Sequence, residues 1–235
     1  MKSMRLLFIH GAGGTKSKWR KVEDHLDSVP FTAIDLPGHG DNEYNIITSI
    51  QDYSSFIDEE IKENTIIVGH SMGGLVALEV AARNNKVKGV VLAASFYELQ
   101  VHPNLLTKLA DGKFPESLFY ASYGKEASES LIKEEKKELR LVPTGVSYAD
   151  FRATNEYKEG KATLASLDIP VCAILGDQDR LLPPGAAQTL KEVKPDIHLF
   201  IINGSGHYVM LEKPKEFCEE LAKFVKKVQL QLVNQ

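Results

Sequence analysis

Hydrophobic positions along this chain fall into two alternating rhythms. Short apolar runs at residues 5–10, 31–35, 65–69, 87–94, 171–176 and 198–202 are rich in Val, Ile, Leu or Phe, and each stops at a Gly, an Asp or a small residue. Runs this brief read as strands buried on both faces. Between them lie segments with three- and four-residue apolar spacing, at 16–26, 48–62, 72–84, 184–193 and 214–228. Such spacing predicts amphipathic helices. The last opens with Pro214, whose missing N–H costs nothing in a first helical turn. Its Phe217, Leu221, Phe224, Val225 and Val228 then form one apolar face for the sheet. The expected class is α/β: a mostly parallel sheet of about six strands flanked by helices.

One connection breaks this rhythm. The stretch between Ala94 and Val171 far exceeds the dozen or so residues a simple crossover needs. It carries helical patterns of its own around 104–109, 115–123, 127–141 and 147–157, and a structureless loop of that length is improbable in a compact domain. These patterns predict a helical lid, residues 96–165, inserted after the fourth strand between core segments 1–95 and 166–235. The charge run 133–137 reads as a solvated helix face.

Composition narrows the class without deciding it. The chain has 235 residues, 43% hydrophobic and 26% charged, enough for one domain with an ordinary core. A net charge of −4, with no basic run interleaved with aromatics, argues against a nucleic-acid surface. The apolar run 6–9 is too short for a signal-peptide core, and no stretch approaches the ~20 apolar residues of a membrane span. The expected location is the cytoplasm. Cys172 and Cys218 read as reduced, packed thiols. With no C-x-x-C and no dinucleotide loop, neither a metal nor a cofactor is expected.

The chemistry concentrates where the third run ends. Gly69-His70-Ser71-Met72-Gly73-Gly74 joins a strand to an apolar helix through G-x-S-x-G. A nucleophile on such a turn needs small neighbours, because the turn is sharp and strained. The turn lifts the Ser71 hydroxyl clear of the sheet and aims the Met72 N–H where an oxyanion would form. A serine hydroxyl also requires a base, and the base an orienting carboxylate. His207, in Gly204-Ser205-Gly206-His207, follows the last strand, where ligands meet open parallel sheets. The carboxylate comes from the loop after 171–176, as Asp177 or Asp179. Both leave the same strand end, so position does not separate them. Either gives the chain order Ser, Asp, His.

From His10-Gly11-Ala12-Gly13-Gly14 to the stretch GHYVMLEKP at 206–214, the chain resembles the α/β-hydrolase superfamily over nearly its whole length. The resemblance implies Asp179 as the acid, three residues after the strand-ending glycine. It implies that Ala12 N–H joins Met72 N–H as an oxyanion donor. It gives Asp35-Leu36-Pro37-Gly38-His39-Gly40 a site-shaping role, and Trp19 a packing role in the first helix. Many members open with two further antiparallel strands, for which the residues before Arg5 leave no room. A serine at the elbow argues against dehalogenase-like and epoxide-hydrolase-like chemistry.

Together these features predict a serine hydrolase of small to medium, mainly apolar carboxylic esters acting through an acyl-enzyme. Phe96, Leu106, Phe119, Tyr123 and Phe151 are the expected substrate contacts. The alternatives keep the same triad for a thioester, lactone or C–C bond, or for perhydrolysis, or use the pocket only to bind a ligand.

Overall fold

A computed structural model describes residues 4–26 and 29–233. Strands β1 (Arg5–Ile9), β2 (Phe31–Ile34), β3 (Thr65–His70), β4 (Val87–Ala93), β5 (Val171–Gly176) and β6 (His198–Ile202) form one six-stranded sheet ordered β2-β1-β3-β4-β5-β6. All its pairings are parallel. The helices are α1 (Ile50–Glu60), α2 (Met72–Ala81), α3 (Pro103–Ala110), α4 (Glu116–Ala121), α5 (Glu129–Glu138), α6 (Thr144–Glu156), α7 (Gly160–Ser166), α8 (Ala186–Val193), α9 (Val209–Glu212) and α10 (Pro214–Val233). Among the described residues, no helix is long and apolar enough to cross a membrane.

Alternation along the strands divides the core. In β1, Leu7 and Ile9 point into one apolar layer, with α1, α2 and α8; Leu6 and Phe8 point into the other, with α10. Successive strand side chains face opposite ways, so a strand covered on both sides must be apolar throughout. Helix α2 follows the same logic. Met72 through Leu78 are all buried, so it has no polar face to show water. Helix α10 buries Phe217, Leu221, Phe224, Val225 and Val228, the stripe its spacing implied, and Cys172 and Cys218 are buried free thiols. Ser49 caps α1 by accepting the Asp52 N–H at 3.1 Å, which starts that helix two residues later than expected.

The segment 16–26 departs from expectation. It forms two short 3₁₀ turns, Lys16–Trp19 and Glu23–His25, instead of one α-helix. Thr15 takes the Ser17 N–H onto its side chain, and i→i+3 bonds such as Lys18 N–H to Thr15 O tighten the chain at once. The tight turn buries Lys18 and Trp19, which are neighbours in sequence. Two short helices, α7 and α9, were not expected. Helix α7 packs on α2 and α8, with Leu164 in the core.

The chain order reverses at β1, whose neighbours are β2 on one side and β3 on the other. Ligands of open parallel sheets bind at the carboxyl ends of strands beside such a reversal. The loops after β1 and β3 meet there, and Gly73 closes the approach. A Cβ on Gly73 would lie 2.6 Å from the carbonyl oxygens of Ile9 and His10. A Cβ on Gly69 would run into the Gly73 carbonyl, which is backbone and cannot swing away. Gly69→Ala should therefore destabilise the fold by about 2–3 kcal/mol, at the upper end of overpacking costs. That corresponds to a fall in thermal midpoint of roughly 5–10 °C for a domain of this size, which calorimetry checks. An unchanged midpoint would contradict the packing described.

Candidate active site

Ser71 sits between β3 and α2 with φ 51° and ψ −120°, a backbone conformation that side-chain-bearing residues rarely adopt. Its neighbours hold it there. The Ser71 N–H donates to Ala93 O at 3.1 Å, and the Ser71 carbonyl accepts from Ser95 Oγ at 2.7 Å and from Gly74 N–H at 2.9 Å. Strain of this kind persists only where the surroundings over-determine it, and it concentrates at functional sites.

Asp179 and His207 arrive from the neighbouring strands β5 and β6. His207 Nδ1 lies 2.8 Å from Asp179 Oδ2. The second Asp179 oxygen accepts the N–H groups of Leu181 and Leu182 at 2.8 and 3.3 Å. Burial opposes the charge on Asp179, but His207 and these N–H donors outweigh it, so its pKa lies below the usual carboxylate value. Asp177 is exposed and bonds the Ser205 N–H at 3.3 Å, a turn contact that keeps it from the imidazole. Of the two aspartates that strand position left open, Asp179 is the one that meets the imidazole.

Ser71 and His207 line one cavity of about 270 Å³, together with Ala12. Phe119, Tyr123 and Phe151 also line it, whereas Phe96 and Leu106 do not. Phe96 is packed into the α2-side core and stacked on Tyr97, and in α3 it is Leu105 that faces the cavity. An apolar wall is formed by Leu99, Leu105, Phe151 and Leu181, while Lys18 and Glu135 bring a buried ion pair to the same cavity.

Other histidines support this arrangement. His10 Nε2 accepts the Leu36 N–H at 3.0 Å, so its proton sits on Nδ1 and reaches Gly11 O at 2.9 Å. Burial and the neighbouring His39 push its pKa down to about 4. His70 Nε2 donates to the His207 carbonyl at 3.0 Å, and burial and the proximity of His207 hold His70 well below the usual imidazole value. His39 differs. Its Nε2 meets Asp150 Oδ2 at 2.8 Å and its Nδ1 meets Pro37 O at 3.1 Å, two acceptors that only an imidazolium satisfies together. Burial works against that charge, but Asp150 overcomes it and raises the pKa.

The Asp150 cluster escaped the sequence reading, although a signal was present. Val146, Asp150, Ala153 and Tyr157 fall on one buried stripe of α6 and the residue after it, and an aspartate within an apolar stripe needs partners. Glu212 was missed as well. Its carboxylate accepts Gly206 N–H at 3.1 Å and Gly124 N–H at 2.8 Å, bracing the His207 loop.

A hydroxyl on a strained strand–helix turn, with a carboxylate-bound imidazole in the same cavity, is equipped for nucleophilic acyl transfer. Such a site at the carboxyl edge of a parallel sheet defines a hydrolase of the carboxylic-ester type. The chain belongs to the alpha/beta hydrolase family, whose model matches residues 6–220. It is 26% identical to a pimeloyl-[acyl-carrier protein] methyl ester esterase of Neisseria meningitidis serogroup C, over 95% of this chain and 94% of that one. It is 27% identical to the biotin biosynthesis bifunctional protein BioHC of Cellvibrio japonicus, over 93% of this chain but only 47% of that protein. The chain thus spans about half the length of that bifunctional relative. Among solved structures, a thermophilic esterase superposes with a TM-score of 0.83 at 27% identity, over 95% of this chain and 90% of that one.

The buried neutral imidazoles set an expectation for pH. Unfolded His10 and His70 take up protons below about 6.5, whereas folded His10 resists protonation down to about 4. The unfolded state binds more protons in that window, so stability falls as pH drops through it. The lowered Asp179 acts in the same direction further into acid, because its contribution is lost as pH falls through its folded pKa. Thermal midpoints should therefore decline from pH 6.5 towards 4, and a flat profile over that range would contradict these assignments.

Proposed function

We propose that this protein cleaves small to medium, mainly apolar carboxylic esters through a Ser71–His207–Asp179 triad and an acyl-enzyme. The observation that carries the reading is the 2.8 Å contact between His207 and Asp179, with the imidazole on the same cavity as the strained Ser71. Ser71 Oγ attacks the ester carbonyl while His207 takes its proton, and Asp179 stabilises the imidazolium. The N–H groups of Ala12 and Met72 receive the oxyanion, a task worth about 10²–10³ in kcat per donor. His207 then protonates the leaving alcohol, and water releases the acyl group by the same steps in reverse.

Size and lining support the substrate class. At about 270 Å³ the cavity is a little smaller than the roughly 300–1,000 Å³ usual for drug-sized ligands. Its wall of Leu99, Leu105, Phe151 and Leu181 suits an apolar acyl chain. Relatives named as methyl ester esterases favour an ester over the thioester, lactone and C–C alternatives. Residues 96–165 act in this reading as the lid, covering the cavity with side chains from α3 to α6.

Ser71→Ala should abolish turnover of p-nitrophenyl esters and labelling by a fluorophosphonate while leaving the circular dichroism unchanged. Full esterase activity in that variant would sink the proposal, and so would a folded wild type that neither labels nor turns over any chain length. Asp179→Asn should lower kcat by about 10⁴, as misorientation of the base does in serine proteases. Asp177→Asn should leave kcat nearly unchanged, and the reverse order would move the acid to Asp177.

A further inference from the structure

The loop that carries Ala12 is not held by the sheet alone. Its next residue, Gly13, donates its N–H to Asp150 Oδ2 at 2.8 Å, across to helix α6. Asp150 is fully buried and also receives the Tyr53 hydroxyl at 2.6 Å and His39 Nε2 at 2.8 Å. One carboxylate therefore gathers α1, the loop after β2 and the loop after β1. Gly13 fits only because it is glycine: its φ is +63°, and a Cβ there would lie 2.8 Å from Ser147 Oγ of α6. A second connection lies a few residues on, where Lys18 pairs with the fully buried Glu135 of α5 and Arg20 reaches the same carboxylate at 2.9 Å. The segment 10–20 is thus gripped by two buried carboxylates, both from the inserted helices.

We infer that Asp150 is a positioning residue for the oxyanion hole, and that α6 must be seated for Ala12 N–H to point at the reacting carbonyl. This rests on the esterase reading above, in which Ala12 N–H is a donor. The physical argument is short. An oxyanion donor acts only if it is fixed before charge develops, and a displacement of about 1 Å in such a group can cost 10²-fold. The peptide between Ala12 and Gly13 has its orientation set from one side by the Gly13–Asp150 bond. The Ala12 N–H belongs to the preceding peptide and is joined to this one through the Ala12 φ and ψ, so releasing the bond loosens the loop on one side of that donor. The nucleophile, base and acid do not touch Asp150, so their geometry persists.

The residue types suggest a graded series. Asparagine keeps the shape of Asp150: its amide oxygen can accept from Gly13 and His39, and its NH₂ can face the Tyr53 oxygen. Alanine removes every acceptor. Tyr53→Phe removes one donor to Asp150 but leaves Gly13 bonded, so it reports on stability without touching the loop.

The experiment measures kcat and KM on a p-nitrophenyl ester, and Ki for an aryl boronic acid whose tetrahedral adduct requires the oxyanion hole. Asp150→Ala should lower kcat about 10–100-fold, less than outright loss of a donor, with KM little changed and boronate Ki raised by the same factor. Asp150→Asn should recover most of both, and Tyr53→Phe should retain kcat while lowering the thermal midpoint. A purely structural role predicts instead that kcat in Tyr53→Phe and Asp150→Ala follows stability, with no matched change in Ki. That outcome, or an unaltered kcat in a folded Asp150→Ala, overturns the inference while the wild-type activity leaves the esterase reading intact. Should Asp150→Ala fail to fold, amide exchange in the wild type decides. Gly13 N–H should be strongly protected, and exchange at the rate of an open loop would exclude the bond.

Discussion

The left-handed backbone at Ser71 is the constraint on which the rest of this molecule is arranged. Strained residues of that kind cost roughly 1–3 kcal/mol each, and here the opposing contributions come from all sides. Strand β3 is buried along its whole length, α2 has no exposed face, and Ser95 and Ala93 bond the turn directly. Relaxing Ser71 towards ordinary angles would push α2 off β1, because Gly73 lies against the Ile9 and His10 carbonyls. The presentation of Ser71 to the cavity and the packing of the core are thus two descriptions of one geometric fact.

Electrostatics then sorts the histidines by their partners. His10 and His70 are buried beside other imidazoles and stay neutral. His39 is equally hidden, yet a carboxylate at 2.8 Å raises its pKa and favours the charged form. Burial alone would have treated them alike. A buried His–Asp pair of this kind is costly to break, since removing one partner leaves an uncompensated charge.

Much of the framework was legible because it rests on local periodicity. Strands β1 to β6 follow from short apolar runs, and α10 from its three- and four-residue spacing. The meeting of Ser71 and His207 on one cavity was legible because chain order places each just past a strand. The aspartate that meets His207 was legible only to within two neighbours: Asp177 and Asp179 leave the same strand end, and which one turns inward depends on Leu181, Leu182 and the Ser205 loop. The turns at 16–26 were misread, since Trp19 and Val22 fit a three-residue period as well as an α-helical one. The pocket wall was half legible, because an apolar residue in a helix does not reveal which face it occupies: Leu105 took the place expected of Leu106, while Phe96, in the loop after β4, went to the core. The Asp150 cluster joins residues 137, 111 and 97 positions apart, beyond the reach of any local pattern.

The His207 N–H donates to the Ser122 carbonyl at 2.8 Å, and Arg180 reaches the Tyr120 and Tyr123 carbonyls at 3.1 Å. These are main-chain acceptors, so they ask for a backbone path and not for particular side chains. Side chains along residues 120–125 can therefore drift while the course of the backbone there is held. A chimera built by exchanging this region between relatives would have to reproduce that loop trajectory as well as the Asp150 and Glu135 carboxylates that hold residues 10–20. Diversification of substrate and conservation of chemistry would then be separable along a single stretch of chain, with carbonyl oxygens marking the border.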